Sequence, residues 1–155
     1  MNSILNSPGF LSLPDWYLWK FEQNKALFRE MDRDTFHRSI FTDDRIQAKT
    51  RELYFIPSNE LFNFISANSE AGNQSSIHFL FHVANCGSTL LARSLDIVNK
   101  TLVYREPSTL RQLGVDYVSV DTSDRANKNN GLHSVQKHID LTLKLLSRKY
   151  EKTVP

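Results

Sequence analysis

The apolar positions of this chain follow two rhythms. Pro14-Asp15 opens a stretch to about residue 31 that is dense in apolar residues, among them Trp16, Tyr17, Leu18, Trp19, Phe21, Leu27 and Phe28. It predicts a helix, with the proline in the first turn. A second helical stretch is expected over about 35–48, and residues 53–56 read as a short strand or an extended link. Pro57-Ser58 then starts a helix with Leu61, Phe62 and Ile65 on one side. Ser58 suits its N-cap, because a hydroxyl there accepts a bond from a free backbone N–H. Residues 68–76 are polar, contain Gly72 and show no period, which marks a loop and the main boundary of the chain.

Beyond this loop the rhythm changes. In Ile77-His78-Phe79-Leu80-Phe81-His82-Val83 the odd positions are apolar, and Leu80 adds an apolar residue on the other face. That pattern predicts a strand buried in a parallel sheet. A helix over about 88–99 should bury Leu91, Leu95 and Val98, and residues 101–104 read as a second strand. Strand, helix and strand together make a βαβ unit. A short helix is expected around 108–113, then a polar, turn-rich stretch over 121–131. Leu132, Val135, Ile139, Leu143, Leu146 and Tyr150 recur at spacings of three and four, as in an amphipathic helix packed on a core. The predicted organisation is therefore α/β. Residues 1–76 form a mainly helical N-terminal extension, and 77–155 form an α/β domain with parallel strands.

Composition narrows the function classes. The net charge is +2, and Lys and Arg are interspersed with Asp and Glu, as in Arg29-Glu30-Met31-Asp32-Arg33-Asp34. Nucleic-acid binding needs a concentrated basic face, so no nucleic-acid partner is expected. No apolar run is long enough to span a membrane, and the N-terminus lacks the features of a signal peptide. The single cysteine excludes an internal disulfide and the usual cysteine-based zinc site. The cytoplasm is the expected location.

The junction at 84–89 carries the candidate chemistry. The first N–H groups of a helix have no internal partners, and the helix dipole adds partial positive charge, so an anion is stabilised there. Gly87 can adopt positive φ and lets a phosphate approach the backbone. Ser88 and Thr89 offer hydroxyl donors. The bland alternative is a tight turn with Ser88 as N-cap and nothing bound. The common ATP and GTP loop needs a second glycine followed by lysine, and neither is present. Cys86 sits where a helix N-terminus lowers a thiol pKa. A Cys-x5-Arg phosphatase would need arginine at 92, however, where the chain has Ala92, with Arg93 one residue late. His78 and His82 share one strand face without an evident third ligand, so no metal is expected.

Asn85-Cys86-Gly87-Ser88-Thr89-Leu90-Leu91 after an apolar strand, with Arg105-Glu106-Pro107 one step later, resembles the sulfotransferase family, in its bacterial sulfotransferase-like branch. The resemblance covers about 77–113 well and 132–150 loosely. It implies a P-loop-type three-layer α/β/α fold, of which the chain covers the N-terminal part. It also implies transfer of sulfonate from 3′-phosphoadenosine 5′-phosphosulfate to an acceptor hydroxyl, without a metal. On this resemblance Gly87, Ser88 and Thr89 hold the 5′-phosphate and Cys86 adds its backbone N–H. Glu106 takes the proton from the acceptor. Two departures follow. Asn85 stands where many members carry Lys or Arg, and offers a hydrogen bond in place of a charge, with Arg93 the candidate to supply it. The family's 3′-phosphate site comes from a later strand and helix than this chain contains. The competing expectation is a non-catalytic anion-binding or interaction module derived from a truncated sulfotransferase, whose exposed sheet edge would favour homo-oligomers.

Overall fold

A computed structural model describes residues 4–68, 74–83, 85–122 and 125–150, the side chains of 125–128 excepted. Its centre is a three-stranded antiparallel sheet in the order β1-β2-β3, formed by β1 (Trp16–Glu22), β2 (Lys25–Glu30) and β3 (Tyr54–Pro57). The stretch expected as a helix to residue 31 is therefore a β-hairpin. Its turn residues, Gln23 and Asn24, both take positive φ, 47° and 61°. Two such residues in succession make the tight turn that matches strand twist. The Asn24 carbonyl also accepts the Ser58 N–H at 2.8 Å, tying the hairpin turn to the start of the next helix.

The sheet is buried on both faces, which is why Tyr17, Leu18 and Trp19 are consecutively buried. Leu18, Ala26, Phe28 and Ile56 face the first core cluster, with Ile4, Leu5 and Phe10 from the N-terminal turn. Leu61 and Ile65 of α2 (Ser58–Ala67) and Leu141 and Leu145 of α5 (Arg125–Leu146) complete it. Tyr17, Trp19 and Leu27 face a second cluster with Met31, Leu146 and Phe36 of α1 (Arg33–Arg38). Residues Ile77, Leu102, Tyr104 and Leu110 pack at its margin. Helices thus lie against both faces of a mixed α/β layer structure.

The first helix beyond the hairpin is shorter than the expected 35–48, ending at Arg38. Asp32 caps it in a reciprocal box with Thr35. Its far end is capped by a buried cation: Arg105 Nη2 donates to the carbonyls of Phe36 at 2.5 Å and His37 at 3.2 Å. The helix at Ser58 forms as expected, but its N-cap is Pro57, and the Ser58 hydroxyl is enclosed without a partner.

The edge of β1 is covered by α4 (Ser108–Asp121), which runs well past the expected 108–113. Gln112 mimics a strand partner there. It accepts the Phe21 N–H at 2.9 Å and donates to the Phe21 carbonyl at 2.7 Å. The Thr109 hydroxyl reaches the carbonyls of Leu18 and Trp19, both at 2.8 Å, where the β1–β2 register shifts. The long C-terminal helix begins at Arg125, inside the stretch expected to be turn-rich. Just beyond it, buried Arg148 donates to the carbonyls of Leu145, Phe10 and Trp16, each at 2.6 Å.

The two expected parallel strands are the main correction. Residues 77–83 and 101–104 form no strand ladder among the described residues. A segment becomes a strand only when a neighbour accepts and donates along it, and the sheet among the described residues is formed within 16–57. Gln74 bridges Arg148 and the Ser75 N–H reaches the Ser147 carbonyl, after which the chain leaves the body. No helix among the described residues is long and apolar enough to cross a membrane.

Candidate functional site

The predicted loop does lie at a helix N-terminus. Gly87 is the N-cap of α3 (Ser88–Leu95), with φ 80° and ψ 11°, and Asn85 takes φ 60°. Both are left-handed positions, cheap for glycine and tolerated by asparagine. The Leu90 and Leu91 N–H groups bond the Gly87 carbonyl at 3.0 and 3.2 Å, so regular helical bonding starts there. A Cβ placed on Gly87 meets nothing within 4 Å, so a ligand can approach the backbone from that side.

Residues 80–83 face Cys86, Gly87, Ser88 and Leu91 across an open groove of about 610 Å³. At its floor, His82 Nδ1 lies 3.1 Å from Ser88 Oγ and 3.2 Å from the Val83 carbonyl. A carbonyl only accepts, so the bond to Val83 places a proton on Nδ1. Ser88 Oγ is then the acceptor toward His82, and the Ser88 side chain also bonds the Cys86 thiol. The Cys86 thiol is exposed, and the Ser88 backbone N–H holds it below the ordinary thiol range. The stabilised anion is the thiolate, as at other helix N-termini.

The remaining predicted residues scatter. Asn85, Thr89 and Arg93 are exposed and do not line the groove. Arg93 lies further along α3 and contributes to the field at Arg105, where burial chiefly lowers the guanidinium pKa. Glu106 is exposed with φ 54°, and its Oε2 lies 3.2 Å from Arg45 Nη2. Arg45 also clasps Asp43 at 2.6 Å and stacks on Phe41. This backbone is fixed from behind, because the Arg105 carbonyl accepts both the N–H and the hydroxyl of Thr42 at 2.7 and 3.0 Å. No hydrogen bond or ion pair joins Glu106 to residues 85–93 among the described residues.

Leu91, Leu95 and Val98, expected in a core, are 46%, 45% and 63% exposed. The helix is amphipathic as read, but among the described residues its apolar side stays exposed. Sequence reasoning treated His82 only as an unsupported metal ligand. Its spacing of six from Ser88 across a turn was the signal for the contact actually formed. No group of three or more potential metal-ligating side chains occurs among the described residues. No family model, curated protein or solved structure matches the chain.

Proposed function

We propose that this chain is a sulfotransferase-like protein that holds the 5′-phosphate of 3′-phosphoadenosine 5′-phosphosulfate on the loop 85–89. The observation that carries the reading is Gly87, left-handed at the head of α3 with open space above it. The backbone N–H groups of the first helical turn and the hydroxyls of Ser88 and Thr89 supply donors to an anion. The Ser88 hydroxyl, shared with His82 and Cys86, would turn to that anion. In the proposed reaction the cofactor supplies the sulfonate group, and Glu106 accepts the proton of the acceptor hydroxyl. The proposal includes a P-loop-type parallel sheet in which 77–83 and 101–104 are strands. The apolar alternation of the first suits that role.

The test is calorimetric titration of the chain with adenosine 3′,5′-bisphosphate, with adenosine 5′-monophosphate and ATP alongside, repeated on Gly87→Val. Binding that depends on the 3′-phosphate and weakens at least about tenfold in the variant is expected, because the side chain both strains the backbone and fills the approach. Equal affinity in the variant, or no binding by the parent, would overturn the assignment.

A second reading is a non-catalytic interaction module. It is favoured by one observation: Phe79, Phe81 and Val83 are 54%, 93% and 75% exposed beside the bare face of α3.

A further inference from the structure

The segment that carries the loop is built to depend on one polar joint. Its helix, α3, has eight residues and buries none of them. Helices this short have little stability of their own and take it from packing. The C-cap residue is Asp96, a carboxylate at the negative end of the helix dipole, where it opposes the helix. Yet Asp96 is the buried residue of the region, 7% exposed.

Its surroundings account for that. Arg33 grips the carboxylate with two nitrogens, Nη2 at 2.8 Å from Oδ1 and Nη1 at 3.1 Å from Oδ2. His37 Nδ1 lies 3.3 Å from Oδ2, and the Val103 N–H lies 3.4 Å from Oδ1. Buried Arg105, whose Nε and Nη1 have no partner, adds to the attraction. Two-point Arg–carboxylate pairs are among the stronger and more directional contacts available. Bonds with Thr101 close the turn at the root of the segment. The Ser88–His82 contact joins the segment only to the equally exposed 78–83 stretch. Cys86 also bonds the Val83 backbone in that stretch, and among the described residues no other hydrogen bond or ion pair, beyond the Asp96 joint and the Thr101 turn, ties 85–100 to the rest of the protein.

We propose that residues 85–100 form a unit that opens independently of the core, latched shut by Asp96 against Arg33 and His37 of α1. The inference concerns the conformational freedom of the loop, and it holds whether or not the loop binds phosphate. Local openings of this kind occur where buried apolar contact is sparse, while the core stays closed. The latch makes α1, anchored in the second core cluster by Phe36, the element that positions the loop.

Hydrogen exchange on the full chain tests this, comparing parent, Asp96→Asn and Arg33→Gln. The amides of Leu91 to Leu95, which close the helical bonds of α3, should exchange at least about tenfold faster in both variants. The β1 and β2 amides in the same molecules serve as the internal reference and should keep their rates. Unchanged α3 rates in either variant would overturn the latch. So would a parallel rise in α3 and sheet amides, because the joint would then belong to the global core.

Discussion

At the scale of the residue, the charged and hydroxylic groups enclosed near the sheet set the behaviour of the protein in alkali. Tyr17 is buried and donates to the Thr42 carbonyl at 2.9 Å. The rings of Tyr104 and Tyr150 are partly accessible, but their hydroxyls are enclosed. Burial pushes all three phenols above their ordinary value, and the nearby Asp15 carboxylate pushes Tyr150 further. The native state therefore keeps protons that the unfolded chain releases from about pH 10 upward. Stability is fully present below that pH and falls above it, by up to ~1.4 kcal/mol per pH unit for each phenol. Arg148 acts the other way. Burial lowers it to about 10, so the native state is relieved of a buried charge between that pH and the ordinary guanidinium range. Arg105, also lowered by burial, acts in the same sense, and the three phenols outnumber the two arginines. Melting temperature should fall steeply above pH 10. The phenolate absorbance of these three tyrosines should appear only with unfolding. Titration of these three phenols before the melt would contradict the enclosure.

At the scale of the element, the hairpin turn is where local preference and observed conformation disagree. Gln23 occupies a left-handed position at φ 47°, costly for a residue with an ordinary side chain, and Asn24 tolerates it better at φ 61°. Replacing the pair by Asn-Gly (Gln23→Asn with Asn24→Gly) supplies the preferred turn chemistry and preserves the backbone bond from Ser58 to position 24. A gain of about 1 kcal/mol is expected, which at this size is roughly 2–4 °C in a thermal melt followed by Trp19 fluorescence. A loss of stability would show that the turn is set by tertiary contacts. The same turn explains why the hairpin was illegible in the sequence. It carries no glycine, and the strands are apolar on both faces, so neither a turn dipeptide nor an alternation separated strand from helix. The helices at 58–67 and 132–146 were legible because one face of each meets the core. The site was legible in part for a related reason. Gly87-Ser88 at a helix start is local chemistry, and it formed where expected. The relation of Glu106 to that loop is tertiary, and Arg45, sixty-one positions away in sequence, decided it.

At the scale of the molecule, the apolar surface is unevenly distributed. Both faces of the sheet are covered by helices, whereas Phe79, Phe81, Val83, Leu90, Leu91 and Val98 stand exposed on one excursion, and Val115, Tyr117 and Val118 stand exposed on α4. Their residue types are those of a core, which is how the sequence read them. A bare patch of aromatic and aliphatic side chains favours association. The weight-average mass from light scattering should therefore rise with protein concentration above that of one chain. Phe81→Lys, at the most exposed of these positions, should restore a single-chain mass without lowering the melting temperature, since nothing in the fold rests on that side chain. A parent protein that stays a clean monomer at high concentration would mean that the patch is closed within one chain, and would count against the interaction-module reading. Association that persists in Phe81→Lys would move the contact to the other exposed apolar set, Val115, Tyr117 and Val118 of α4.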